Sequence, residues 1–334
     1  MDAFKLMKEL RVNCEQEVHY LPKVTGLRAI ESTAPGDSRI SAKCRDAKVE
    51  DLWSLTSFFG YSTQTFVLAV NLLDRFLAMM KIQPKHLSCI SLSCLHMAAK
   101  VTEKECNLTP TDELIRIGQC RFTVSDLARM EKIVTEKLNF KSKAVTALTF
   151  LHLYHQIALS HCTDRKTTLS LEKLEAQLKA CLCRISFSKA KPSVLALALL
   201  RQEIEAVQSE DMLEIASHIQ RHLKIVDADL VLWSKCVAQC LSDYASPECS
   251  KPDHRKLQWI VSRRTAQSLH SYRSVPELPT IPEGCWDESE SEDSCEDMMS
   301  SGEESLSSSL GSDAEGSFFP PHLRRQNQRQ YLYA

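Results

Sequence analysis

Thr65-Phe-Val-Leu-Ala-Val-Asn-Leu-Leu-Asp-Arg-Phe-Leu-Ala-Met-Met80 reads as a helix too apolar for a protein surface. Phe66, Val70, Leu73, Leu77 and Met80 form one stripe at spacings of three and four, and Ala69, Leu72, Phe76 and Met79 form a second stripe beside it. Only Asn71, Asp74 and Arg75 interrupt this surface. A helix coated on most sides must be enclosed by other helices, and an acid in its middle needs a cation brought to it.

The rest of the chain offers the helices to do this. With 334 residues, 43% hydrophobic and 25% charged, it can bury one large core or two ordinary ones. Gly is scarce, 8 in all, and no stretch alternates apolar and polar residues long enough for a sheet, so an all-α fold is expected. The 14 Cys are scattered through a core-forming chain, and Met1-Asp-Ala-Phe-Lys5 is charged where a signal peptide is apolar. A reducing compartment follows, cytoplasmic and also nuclear. The longest strongly apolar run, Val194 to Leu200, falls well short of the roughly 20 residues that span a bilayer, so no membrane role is expected.

Charge divides the chain. Residues 287–315 hold eleven acids and no Lys or Arg, while residues 1–286 hold 38 basic against 32 acidic residues. A body so mildly positive gives no clustered patch for nucleic acid.

Residues 1–44 are weakly patterned and include a loop at Ser32-Thr-Ala-Pro-Gly-Asp-Ser38. From Asp46, Val49, Leu52, Trp53, Leu55, Thr56 and Phe59 keep helical spacing up to Gly60, a stop signal. The opening stretch is the second helix. Pro84 starts a third that runs to Lys100, with the small residues Ser88, Ser91, Cys94, Ala98 and Ala99 turned inward. Thr109-Pro-Thr-Asp112 caps a short fourth, and Thr123-Val-Ser-Asp126 caps a fifth with Val124, Leu127, Met130, Val134 and Leu138 on one face. A second set reads as 145–160, 171–185, 191–207, 211–223 and 228–244, with Pro192 opening its third helix as Pro84 does in the first.

Ala69-Val-Asn-Leu-Leu-Asp-Arg-Phe-Leu77, Ala98-Ala-Lys100 with Glu103, and Arg129-Met-Glu131, in that order within five helices, resemble the cyclin box. Pro192-Ser-Val-Leu-Ala196 fits a second, looser box. Ala47-Lys-Val-Glu-Asp-Leu52, Pro84-Lys-His-Leu-Ser-Cys89, Phe150-Leu-His-Leu-Tyr-His155 and the long tail are similar to the G-type cyclins. The resemblance implies tandem five-helix cyclin boxes at 45–141 and 142–247. Outside them lie a flexible N-terminal arm at 1–44, a basic amphipathic helix candidate at 248–273 and a disordered Pro-, acid- and Ser-rich tail at 274–334.

The resemblance also implies roles. Arg45 stands at the family distance before Asp74 and is the cation that the buried acid requires. Lys100 and Glu131 correspond to the pair through which cyclins hold a cyclin-dependent kinase, and Glu103 is expected as a further kinase contact; the bland alternative is a solvated charge on each helix. Where many cyclins carry an exposed Leu and Trp for substrate docking, this chain has Lys48 and Asp51. Two charges build no apolar cleft, so substrate recruitment there is not expected.

No cofactor or catalytic constellation is expected: the sequence lacks a phosphate-cradling Gly-rich loop, a His-Glu-x-x-His and a Gly-x-Ser-x-Gly. His152 and His155, one turn apart, are read as structural rather than metal-binding, because a zinc site needs further ligands at recognisable spacing. In the tail, Ser289, Ser294, Ser300 and Ser301 each precede an acid by three residues, which suits an acid-directed kinase. The Pro, Glu, Ser and Asp enrichment resembles the tails of short-lived regulators handed to degradation machinery. The expected function is therefore a non-enzymatic regulator that restrains the cell cycle. It acts either as the regulatory subunit of a cyclin-dependent kinase or as a scaffold for a serine/threonine phosphatase of the two-A class, through that enzyme's regulatory subunit. A nucleic-acid-binding cyclin-fold factor is disfavoured by the charge.

Overall fold

The computed structural model describes residues 3–34, 37–161 and 169–246. Among them the chain forms α1 (Ala3–Glu17), α2 (Val24–Glu31), α3 (Ala42–Phe59), α4 (Thr63–Leu77), α5 (Leu87–Thr102) and α6 (Thr111–Ile117). It continues through α7 (Val124–Lys137), α8 (Ala147–His161), α9 (Leu171–Leu182), α10 (Pro192–Val207), α11 (Glu210–His222) and α12 (Asp227–Ala245). The described residues contain no strand. The five helices α3–α7 and the five helices α8–α12 are the two boxes.

Helix α4 is the inner helix of the first set. Every residue from Thr65 to Leu77 except Asn71 is buried, and the helix packs on α3, α5, α9 and α2. Its three polar interruptions tie it to other segments. Asn71 Nδ2 donates to the Tyr20 carbonyl at 3.0 Å. Arg75 Nη1 donates to the Lys141 carbonyl at 2.9 Å, in the link between the boxes, and its guanidinium lies 5.5 Å over the Tyr20 ring. Asp74 takes Arg45. Polar groups that would be costly to bury alone therefore fix the position of α4 against three neighbours.

Local signals account for several helix ends. Ser41 Oγ accepts from Cys44 N at 3.3 Å and starts α3. Gly60, at φ 67° in the left-handed region, closes it, with Tyr61 N bonded to the Thr56 carbonyl. Thr123 and Asp126 form a reciprocal capping box on α7. Two ends differ from expectation. Pro84 opens a short 3-10 turn, Pro84–His86, and the α-helix begins only at Leu87. Thr109 does not cap α6; its backbone N–H goes to the Tyr61 hydroxyl, and Pro110 precedes the helix without a side-chain cap.

In the second set α10 takes the inner place, buried from Ser193 to Leu200 and packed between α8 and α12. Residues 1–44, expected as a flexible arm, instead carry two docked helices. Leu6 and Leu10 of α1 are buried, and α1 packs on α8 and α10. The Glu17 carboxylate accepts from Ser193 N at 2.8 Å and from Ser193 Oγ at 2.7 Å, capping the first turn of α10 from outside. Burial pushes the Glu17 carboxyl above its ordinary range even though the Ser193 hydrogen bonds pull it down.

Helix α2 lies across the end of α4 through a close approach at Gly26, where a Cβ would collide with the Ala78 carbonyl. Backbone atoms cannot yield as a flexible side chain can. A Gly26→Ala variant is therefore expected to lose ~1–3 kcal/mol through overpacking. Urea unfolding reads this as a lower midpoint, and an unchanged midpoint would show that α2 is not seated there.

Candidate functional site

Lys100 and Glu131, two of the three residues expected to meet a partner, are brought together on neighbouring helices of the first box. Lys100, in the last turn of α5, donates from Nζ to Glu131 Oε2 of α7 at 2.7 Å. Its side chain is 43% exposed while that of Glu131 is 16% exposed, so the ammonium stands at the water's edge and the carboxylate behind it. A third residue, His96, was not singled out by the sequence reading. It lies one turn before Lys100 on the same face, and its Nδ1 is 2.7 Å from Glu131 Oε1. The spacing of four between His96 and Lys100 was the available signal.

One oxygen of Glu131 is thus anchored by a largely buried ring and the other by a half-exposed ammonium. Burial pushes its carboxyl up, but the hydrogen bonds from His96 and Lys100 outweigh this and hold it below the ordinary value of 4.5. A carboxyl depressed on folding stabilises the protein above its unfolded pKa, and that contribution is lost as the pH falls through the folded value. A Glu131→Gln variant is therefore expected to be less stable than the parent at neutral pH, with the gap closing as the pH drops below 4.5. Melting curves across that range check this; a gap independent of pH would contradict it.

Glu103 lies just beyond α5 and faces α4. Its Oε1 accepts from Ser62 N at 2.8 Å, from Ser62 Oγ at 2.7 Å and from the Thr65 hydroxyl. Burial raises its pKa, yet these bonds together lower it, the mark of a carboxylate used as a helix cap. Its charge is committed within the chain.

Arg45, fully buried, holds Asp74 side-on, with Nε to Oδ1 at 2.9 Å and Nη2 to Oδ2 at 2.7 Å. The same guanidinium reaches Asp46 Oδ1 at 3.2 Å and the Leu182 carbonyl at 2.9 Å, and Ser188 Oγ donates to Asp74 at 2.6 Å. Burial works against the guanidinium's charge, but Asp74 and Asp46 more than compensate, and its pKa rises. The pair therefore also joins α3 and α4 to the end of α9 and the turn after it. Around it, Ile185 N donates to Asp46 at 2.9 Å and Arg184 pairs with Glu50 at 2.6 Å.

The outer face of α3 carries an ion pair, Lys48 Nζ to Asp51 Oδ2 at 2.8 Å, with Asp51 61% exposed. His152 Nε2 lies 2.8 Å from Glu175, and His155 Nε2 lies 2.8 Å from the Leu169 carbonyl. Among the described residues no cluster of three or more His, Cys, Asp or Glu could hold a metal, and no helix is long and apolar enough to cross a membrane. Ser289, Ser294, Ser300 and Ser301 and the basic stretch 248–273 lie outside the described residues.

Comparison with known proteins agrees with this architecture. The profile of the cyclin N-terminal domain matches residues 3–143, a span that begins in α1. Cyclin-G2 of Homo sapiens is 58% identical over 320 residues, which cover 95% of this chain and 93% of that protein. Cyclin-G1 of Bos taurus is 54% identical over 284 residues, 84% of this chain and 96% of that one. A solved viral cyclin from herpesvirus saimiri shares the fold at a TM-score of 0.52 and 20% identity, covering 72% of this chain and 99% of its own. With two boxes of five helices, a buried Arg–Asp pair at the start of the first, and more than half its residues shared with a curated relative along nearly its whole length, the chain belongs to the G-type cyclins.

Proposed function

We propose that this cyclin is a non-enzymatic regulatory subunit that docks on a cyclin-dependent kinase through Lys100 and Glu131. The observation that carries the reading is the ion pair on the α5 and α7 face, half open to water and fixed from behind by His96. With Oε1 of Glu131 anchored, Oε2 and the Lys100 ammonium are free to exchange one another for groups of a partner. The ammonium then donates to backbone carbonyls of the kinase's regulatory helix, and the carboxylate accepts from backbone N–H groups beside it. Nothing in this arrangement performs covalent chemistry; its effect is positional.

A second reading is that the chain scaffolds a serine/threonine phosphatase of the two-A class and restrains cell-cycle progression. The Lys48–Asp51 pair favours it, since charge occupies the face where an apolar docking cleft for kinase substrates would lie. Affinity purification of the full chain, with kinase and phosphatase assays on the eluate, separates the two. Kinase activity that disappears on Lys100 and Glu131 reversal supports the first reading. Phosphatase activity without kinase activity, unaffected by those changes, selects the second.

A further inference from the structure

Helix α12 has one side uncovered among the described residues. Two of its rows, Lys235 with Gln239 and Cys236 with Cys240, line an open cavity of about 650 Å³ together with Ile185 and Phe187. Val231 and Leu232 continue those rows one turn toward the start of the helix, and they are 50% and 55% exposed. The cavity therefore runs out into a partly apolar strip along α12, from Asp243 back to Val231, ~18 Å at ~1.5 Å per residue. Single apolar side chains in water need no explanation, but a strip continuous with a cavity marks a surface that something covers. We propose that this groove receives the chain's own residues 253–265, folded back as a helix antiparallel to α12.

Length, pattern and charge of that segment match the groove. It reads Asp253-His-Arg-Lys-Leu-Gln-Trp-Ile-Val-Ser-Arg-Arg-Thr265. Leu257, Ile260 and Val261 share one helical face, and Pro252-Asp253 is a helix-start signal. A helix over 253–265 is ~20 Å long, close to the length of the strip. It carries Arg255, Lys256, Arg263 and Arg264 against Asp253, whereas α12 carries Asp227, Asp229 and Asp243 against Lys235. The cavity adds Glu31 and Asp46, with Arg184 as its other cation. Opposite net charges on the two helices favour their approach.

The place where α12 ends favours this occupant over a separate molecule. The helix stops at Ala245, next to Asp243 and Tyr244, which line the cavity. Residues 247–252 can span up to ~20 Å, while packed helix axes lie roughly 8–10 Å apart. A connection of this length is ordinary between antiparallel helices. A short tether also holds the segment at an effective concentration of about millimolar, which a free copy of the chain does not reach. In the antiparallel register Arg255 and Lys256 fall beside Asp243, Leu257 falls over Cys240, and Ile260 and Val261 fall over Cys236 and Leu232. The basic stretch is then a part of the second box and not a free arm, and the groove is closed to other helices.

The test measures how fast iodoacetamide alkylates Cys236 and Cys240 in the reduced full-length chain, resolved by mass spectrometry, with the exposed Cys106 as reference. Ile260→Asp together with Val261→Asp should speed alkylation of Cys236 and Cys240 several-fold and leave Cys106 unchanged. Val231→Asp with Leu232→Asp breaks the same contact from the α12 side and should have the same effect. Protection in the parent should not depend on protein concentration. Equal rates in the parent and the folded segment variant overturn the proposal, whether the groove is then open or held by another occupant. Protection that rises with protein concentration assigns the groove to a second copy and overturns it as well. If the segment variant loses helical circular dichroism, carbodiimide coupling of the dilute unsubstituted chain decides: an intramolecular crosslink between Lys256 and Asp243 supports the proposal, and its absence overturns it.

Discussion

An Arg45→Ala variant is expected to lose ~3–5 kcal/mol of folding stability, enough to unfold or loosen the first box at physiological temperature. The size of the effect comes from what is left behind. Asp74 is 2% exposed and would keep only the Ser188 hydroxyl as a donor. Asp46 would retain Ile185 N, and the Leu182 carbonyl would lose the bond that reaches it from the first box. An uncompensated buried carboxylate costs more than the intact pair ever contributed. The double variant Arg45→Met with Asp74→Leu should recover part of the loss, since replacing both partners by apolar groups removes the stranded charge. Thermal melting of the single variant within a degree of the parent would refute this account of the pair.

The second large effect concerns binding. Exchanging the two charges, Lys100→Glu together with Glu131→Lys, keeps opposite charges on α5 and α7 but removes the carboxylate that His96 meets, so circular dichroism and melting first establish that the variant is folded. What a partner meets is inverted. If Lys100 and Glu131 contact a kinase, the exchanged variant should bind it ~2–5 kcal/mol more weakly, a loss of roughly 30-fold to several-thousand-fold in affinity. The single reversals are less informative, because each also places two like charges where the parent has an ion pair. Equal affinity of the exchanged variant and the parent in a titration with purified kinase would remove these residues from the interface.

The fold was legible where residue type and period carry the information locally. The double apolar stripe of α4 required enclosure, and Asp74 within it required a cation. Gly60 closes α3, and Thr123 with Asp126 starts α7, whereas the Ser41 cap, which begins α3 at Ala42 ahead of the expected Asp46, went unread. What could not be read depends on partners far along the chain. Helices α1 and α2 each bury only a narrow stripe, Leu6 with Leu10 and Leu27 with Ile30. Their docking rests on Glu17 meeting Ser193 and on Gly26 meeting the Ala78 backbone, contacts that no local pattern announces.

The same holds for the candidate site. Lys100 and Glu131 stood out through family resemblance, while His96 behind them passed as an ordinary helix residue. Glu103 is expected from the resemblance as a further kinase contact, but Ser62 and Thr65 at the start of α4 claim its carboxylate. Arg45 could be matched to Asp74 through the family distance. Its bond to the Leu182 carbonyl was invisible, because a backbone acceptor has no residue-type signature.

Hydrogen exchange on the full chain, alone and mixed with an excess of purified cyclin-dependent kinase, locates the contact surface without substitutions. Protection concentrated in residues 96–102 of α5 and 124–131 of α7, with residues 46–51 of α3 unchanged, is the footprint predicted here. Protection confined to α3 or α12, with the Lys100 and Glu131 segments exchanging as in the free chain, would contradict it.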